Sequence, residues 1–157
     1  MKNQENKMDN RNYGQFALML AISFVIMYTI MFLNVFELSH IYISLNRLYM
    51  TLLMVSPMAL LMMFMMRNMY GNKKLNILIT AIASVVFVLA FAGLRTQSAV
   101  GDVQYMRGMI PHHSSAILTS TNAKIKDPEV RKLADDIIKA QKKEIAQMKT
   151  MLQRLEK

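Results

Sequence analysis

Four side chains in one short stretch of the sequence have the types and the spacing to bind a soft metal ion. Met106 and Met109 are three residues apart. His112 and His113 follow at three and four residues beyond Met109. Residues three or four apart share one face of a helix, so Met106, Met109 and His113 are expected to converge, with His112 on the flank. Thioether sulfur and imidazole nitrogen suit Cu(I), whereas magnesium and calcium prefer oxygen. The stretch therefore predicts a site for copper as Cu(I), or for Ag(I).

The amino-acid composition limits what kind of site this can be. The chain has no cysteine and 17 methionines. Disulfides, thiolate metal sites and thiol redox chemistry are therefore excluded, and a soft metal ion would depend on methionine and histidine. Most of the methionines are expected to be flexible apolar filler. The sequence contains no Glu-x-x-His metal motif, no nucleophile paired with a base and no glycine-rich phosphate loop. We expect a binding protein and not an enzyme.

The candidate ligands are predicted to lie on the first helix of a helical hairpin that forms a domain over residues 102–157. Asp102 is expected to cap a helix that runs to about Lys124, and it is grouped with the residues that support the site. Asp127 is expected to cap the second helix, with Pro128 at its first position. Along that second helix, one row of residues recurs at spacings of four and three, which is typical of a seam packed against a partner helix: Val130, Ala134, Ile137, Gln141, Glu144, Met148, Met151 and Leu155.

Two polar residues interrupt this seam, and antiparallel counting from a turn near Lys126 places them beside the candidate ligands. Gln141 or Glu144 is expected to accept a hydrogen bond from the imidazole N–H that does not bind metal, which would hold the ring in one tautomer. Met148 and Met151 are expected to add sulfur ligands from the second helix.

The rest of the chain is predicted to be a membrane domain. The chain is 54% hydrophobic and 18% charged, which is too apolar for a soluble protein of 157 residues. Three uncharged runs, each of about 20 residues, are long enough to cross a bilayer as helices. We predict transmembrane helices at 16–36, 48–66 and 75–94 within a membrane domain over 16–94, preceded by a tail at 1–15 and followed by a linker at 95–101.

The orientation of the spans is predicted from the distribution of basic residues. Cytoplasmic flanks collect Lys and Arg, and here these residues precede the first span and separate the second from the third: Lys2, Lys7, Arg11, Arg67, Lys73 and Lys74. The loop between the first and second spans carries only Arg47. We expect the N-terminus to lie on the cytoplasmic side of a bacterial inner membrane and the C-terminal domain to be periplasmic or extracellular. The formal net charge is +9, and we expect the basic residues to interact with anionic lipid and not with nucleic acid.

The C-terminal third resembles a known family. Its pattern consists of Asp102, the run Tyr105-Met106-Arg107-Gly108-Met109-Ile110-Pro111-His112-His113, Asp127-Pro128-Glu129, and Gln141 followed by Glu144-Ile145 and Met148. These residues look like the DUF 305 (domain of unknown function) family. The resemblance implies a helical, ferritin-like bundle, often exported, whose better-understood members bind copper with Met and His. The resemblance implies that the metal is bound by Met106, Met109, His112, His113 and Met148. Thr119 stands where many members have a further methionine, and a second copy of the motif is missing, which leaves the number of metal ions open.

Several alternatives remain open at the level of sequence. A hairpin of about 55 residues cannot close a core alone, so it is expected to pack against the membrane helices, another protein or, as we favour, a second copy in a four-helix bundle. The hairpin could instead be an interaction module without metal. A transporter component is a third alternative, because methionines recur every four residues in the second span: Met50, Met54, Met58, Met62 and Met66. His40, with Glu37 beside it, could approach the domain as a further ligand.

Overall fold

The computed structural model describes residues 2–157, except for the side chains of residues 2–10 and Asn68. These residues contain five α-helices and two short 3-10 helices, and no strand, which confirms the predicted all-α class. The 3-10 helices are Leu38–His40 and Arg67–Met69. The α-helices are α1 Lys2–Ile30, α2 Leu45–Met65, α3 Lys73–Thr96, α4 Asp102–Asn122 and α5 Pro128–Leu155. The chain divides into two compact units: the first contains the residues up to Thr29 together with Leu48–Ser98, and the second contains Ile30–Arg47 together with Ala99–Lys157.

Three helices are long and apolar enough to cross a membrane, which supports membrane association. They are Arg11–Ile30, Leu45–Met65 and Lys73–Thr96. The second and third agree with the predicted spans to within three residues at each end. The first differs, because α1 ends at Ile30 and not at Phe36. The predicted tail 1–15 is helical from Lys2, while Met1 and the side chains of Lys2 and Lys7 lie outside the described residues.

Within the first unit, aromatic and small residues form a compact cluster at one end of the helices. Tyr13 donates a hydrogen bond of 2.6 Å to Oδ1 of Asn76, and its ring centroid lies 5.1 Å from that of Tyr70. Asn72 caps α3, because its side chain accepts a hydrogen bond from the backbone N–H of Leu75. The side chain of Asn76 and the backbone N–H of Leu75, both at the start of α3, therefore have hydrogen-bond partners.

The second unit contains the predicted hairpin, and the ends of its two helices differ in how they are capped. The prediction for Asp127 is confirmed: its Oδ1 accepts hydrogen bonds of 2.9 Å from two backbone N–H groups, and Pro128 follows at the first position. The prediction that Asp102 caps α4 is wrong. Gly101 is the N-cap residue and makes no side-chain bond, while Asp102 is the first helical residue. A carboxylate there still interacts favourably with the helix dipole.

The buried row of α5 coincides with the predicted seam at Ala134 and Met148 and otherwise lies one residue beyond it. Ala134, Ile145 and Leu152 are buried, and Ile138 and Met148 pack partly against the same core. Three members of the predicted seam are instead about half exposed, namely Val130 at 49%, Met151 at 46% and Leu155 at 45%. The apolar side of α5 is wider than one seam, and α4 covers only one edge of it.

The first loop completes the core of the hairpin, although the sequence prediction assigned it to the membrane domain. Tyr42 packs against the buried cluster formed by Met106, Ile110, Ile117, Ile145 and Leu152. The backbone N–H of Leu45 donates a hydrogen bond of 3.1 Å to Oε1 of Gln104. The loop also lies against α4 at Gly108, where a Cβ atom would be in ordinary van der Waals contact with Nδ2 of Asn46, at 3.4 Å. A hairpin that needed a partner to close its core finds one in residues 30–47 of its own chain.

Candidate metal site in the hairpin

His113 is the candidate ligand with the most specific surroundings. It lies on the inner face of α4 with 8% of its surface exposed, and its Nε2 atom is 2.7 Å from Oε2 of Glu144 on α5. An ionised carboxylate can only accept, so Nε2 carries the hydrogen in this pair and Nδ1 carries the lone pair of a neutral ring. The Nδ1 atom is buried and has no hydrogen-bond partner among the described residues. A buried lone pair opposite an N–H held by a carboxylate is the arrangement found in metal-binding histidines.

Methionine sulfur is available on the same side of the hairpin. Met109 is half-buried one turn before His113, and Met106 is buried one turn earlier again, at 5% exposure. Met106 and Met148 pack in the same core cluster. At 1.5 Å rise per residue, Met106 and His113 are about 10 Å apart along the helix axis, whereas Met109 and His113 are about 6 Å apart. Of the two methionines on α4, Met109 is therefore the nearer to His113 along the helix axis.

The structure separates the remaining predicted site residues from this pair. His112 is exposed, and its ring centroid lies 6.1 Å from that of His113 at an interplanar angle of 63°. Met151 is 46% exposed, and Asp102 is exposed at the start of α4. Gln141 is half-buried, but the hydrogen bond expected of Gln141 or Glu144 is made by Glu144.

The surroundings also restrict the chemistry of a metal ion here. Among the described residues, no group of three or more His, Asp or Glu side chains is arranged to hold a metal ion. An ion at Nδ1 of His113 would therefore depend on thioether sulfur, which favours Cu(I) or Ag(I) over harder ions.

Ser114, which the sequence analysis did not single out, connects this part of α4 to the first loop. Its hydroxyl is fully buried, accepts a hydrogen bond of 2.7 Å from the backbone N–H of Phe36, and lies 2.9 Å from Nδ1 of His40. On the other side of that imidazole, Nε2 is 3.6 Å from Oε2 of Glu37. No local pattern in the sequence marks Ser114, because its partners are more than 70 residues away. His40, considered above as an additional ligand, therefore holds the loop to α4.

The position of His40 determines its charge. Burial lowers the pKa of His40 below its usual value, and the nearby Lys149 lowers it further, while Glu37 acts in the opposite direction. The ring is therefore neutral near pH 7, which matches its buried position beside an uncharged hydroxyl.

Comparisons with known proteins agree with the residue pattern of the hairpin. The family model described as "Domain of unknown function (DUF305)" matches residues 101–157. The uncharacterized protein L153 of Acanthamoeba polyphaga mimivirus is 38% identical over 144 residues, which cover 90% of this chain and 93% of that protein. This likeness reaches well beyond the hairpin into the apolar helices. No solved structure matches the chain.

Proposed function

This chain belongs to the DUF305 family, and we propose that it is a membrane-anchored protein that binds Cu(I) in its α4–α5 hairpin and sequesters or transfers it without turnover chemistry. The observation that carries this proposal is the surroundings of His113. One ring nitrogen is paired with Glu144 at 2.7 Å, and the other is buried with no partner among the described residues. A buried polar atom without a partner is costly unless something else satisfies it.

Each residue has a distinct role in the proposed site. Nδ1 of His113 and the sulfur of Met109 are the first two ligands, and Met106 and Met148 extend the set of sulfur ligands into the core. Glu144 orients the imidazole by accepting the hydrogen bond from Nε2–H, which in the neutral ring leaves the lone pair on Nδ1. The apolar cluster around Met106 limits the access of water. A soft metal ion bound by sulfur is therefore favoured over a metal ion that keeps its hydration shell.

The proposal is tested by anaerobic titration of the full chain in detergent with Cu(I), in competition with a chelator of known affinity. We expect His113→Gln to weaken binding at least tenfold. His112→Gln is the matched control, since it removes the same chemical group from an exposed neighbouring position. Equal binding by the unchanged chain and both variants would overturn the proposed site.

We further propose that the hairpin lies on the outer side of the membrane, with a bacterial inner membrane as the expected location. The loop after the first span packs with the domain after the third within one unit, and a chain with three spans leaves these two segments on the same side. The single variants Leu38→Cys and Lys157→Cys should react with a membrane-impermeant maleimide in intact cells. The variant Lys74→Cys should react only after lysis, and the opposite pattern would overturn the proposed orientation.

A second function, self-association, is favoured by the uncovered side of α5. Val130, Leu133, Met151 and Leu155 are each 45 to 60% exposed along that side. A homodimer that buries these residues would form the four-helix bundle expected from the family. Leu133→Lys should then reduce the particle mass measured by light scattering, whereas His113→Gln should leave it unchanged.

A further inference from the structure

A cleft within the second unit lies apart from the copper ligands. It opens between the first loop and α5 and has a volume of about 320 Å³. Its lining includes Ile117, Ile145, His40, Phe36, Lys142 and Lys149. None of the proposed copper ligands lines it, so it requires a separate explanation.

The deepest part of the cleft is apolar and tightly held. Ile117 and Ile145 are 1% and 4% exposed and belong to the hairpin core. His40, at 5% exposure, is held by Ser114 and is neutral near pH 7. These residues form a floor that is already closed. The apolar surface that a ligand could cover therefore lies on Phe36, which is 37% exposed, and on Ala146, which is exposed.

The rim of the cleft carries positive charge. Lys142 and Lys149 lie seven residues apart on α5 and therefore on the same side of the helix. The Nζ atom of Lys142 is 5.9 Å from the ring centroid of Phe36, and that of Lys149 donates a hydrogen bond of 3.1 Å to Oγ of Ser39. Glu37 is the acidic residue in the lining, and it accepts a hydrogen bond of 3.2 Å from the same Ser39 hydroxyl. Two cations facing one carboxylate leave an excess of one positive charge.

We propose that this cleft binds a small amphiphilic carboxylate, with its anionic group at Lys142 and Lys149 and its apolar part against Phe36 and Ala146. The excess of one positive charge matches a monoanion. An inorganic anion would leave Phe36 and Ala146 uncovered, and a neutral apolar molecule would leave the excess positive charge unpaired. The cleft volume of about 320 Å³ lies at the lower end of the range for small-molecule pockets, which fits a small ligand.

The first experiment uses benzoate as the probe and the full chain in an uncharged detergent. Binding is measured by saturation-transfer NMR and by calorimetry. We expect the double variant Lys142→Gln, Lys149→Gln to weaken binding at least tenfold. The double variant Lys139→Gln, Lys143→Gln removes the same charge from positions outside the lining and should bind as the unchanged chain does. Equal weakening in both would show a general charge effect and overturn the site.

A second pair of variants tests the shape of the cleft. Ala146→Phe should fill the cleft and abolish benzoate binding, because Ala146 lines it. Ala140→Phe is the matched control at an exposed position of the same helix outside the lining. Benzamide, which lacks the charge, and inorganic phosphate, which lacks the ring, should each compete at least tenfold more weakly than benzoate. Competition by phosphate at equal strength would overturn the proposed ligand class, and absence of benzoate binding would overturn the site. None of these outcomes involves the residues tested by Cu(I) titration.

Discussion

The Nε2 atom of His113 on α4 lies 2.7 Å from Oε2 of Glu144 on α5, so the two helices of the hairpin share one charge-assisted hydrogen bond. The histidine is buried and the carboxylate is half exposed, which keeps the carboxylate hydrated while it orients the ring. The same contact gives Nδ1 its lone pair and leaves it directed away from Glu144. The pair therefore links hairpin geometry to the proposed ligand atom.

Replacing the carboxylate of this pair should weaken metal binding without removing a ligand. Glu144→Gln leaves a neutral amide, which holds the imidazole N–H less strongly and makes Nδ1 less basic. We expect Cu(I) affinity to fall about 10- to 100-fold, measured by chelator competition. Glu129→Gln, at the exposed start of α5, is the control and should bind normally. Unchanged Cu(I) affinity in Glu144→Gln would show that the hydrogen bond between His113 and Glu144 does not contribute to metal binding.

Loss of the Ser114 hydroxyl should release the first loop from the hairpin. Ser114→Ala removes the acceptor for the Phe36 N–H and the hydroxyl partner of His40, and it leaves two polar groups without partners. The expected cost is about 1–3 kcal/mol per buried group. Hydrogen exchange of residues 31–47 should become faster. Ser115→Ala, which removes only an exposed contact with Asn34, should have little effect, and equal exchange in both variants would contradict the prediction.

The attachment of the loop should weaken in acid. Burial and Lys149 hold the pKa of His40 below 6.5, so the released loop binds a proton more readily than the packed loop does. Loop stability is therefore fully present above pH 6.5 and is lost as the pH falls through the lower pKa of the packed state, although Glu37 partly offsets this. Hydrogen exchange of residues 31–47, corrected for its intrinsic pH dependence, should show less protection at pH 5 than at pH 7.5.

His40→Gln is the control for this pH effect. The glutamine cannot take up a proton, so the difference in protection between pH 7.5 and pH 5 should largely disappear, even if the loop is looser at both values. The charged groups around the ring, Glu37, Lys142 and Lys149, are unchanged in this variant. A pH effect of the same size in His40→Gln would assign it to another group.

Packing within the first unit should be sensitive to one glycine. A Cβ atom at Gly93 would lie 3.0 Å from the ring of Tyr49, whose hydroxyl donates a hydrogen bond of 2.7 Å to the carbonyl of Ser98. Gly93→Ala must displace this ring, and we expect a loss of about 1–3 kcal/mol, measured as a lower Tm in detergent. Gly14→Ala, with nothing within 4 Å of its Cβ atom, should show no such loss.

The sequence by itself determined the elements of this protein. Three apolar runs of membrane-spanning length, an Asp-Pro pair at the start of α5 and spacings of three and four along α4 are local features, and the helices follow them because helix formation depends on neighbours a few residues apart. Antiparallel counting placed Gln141 opposite His113 and Glu144 one turn further along, and the structure pairs His113 with Glu144; a short turn restricts the alignment of two helices to within about one turn.

Only the tertiary structure decided which rows of residues are buried and what covers them. Spacing predicted a seam on α5, but two neighbouring apolar rows have the same spacing, and the choice between them depends on the direction from which α4 approaches. Likewise, the side chains of His112 and His113 are equally polar in sequence, and the fold buries only His113. The packing of residues 30–47 onto α4 rests on hydrogen bonds between residues more than 70 positions apart, and such contacts leave no periodic signal in the sequence because they form only when distant segments meet.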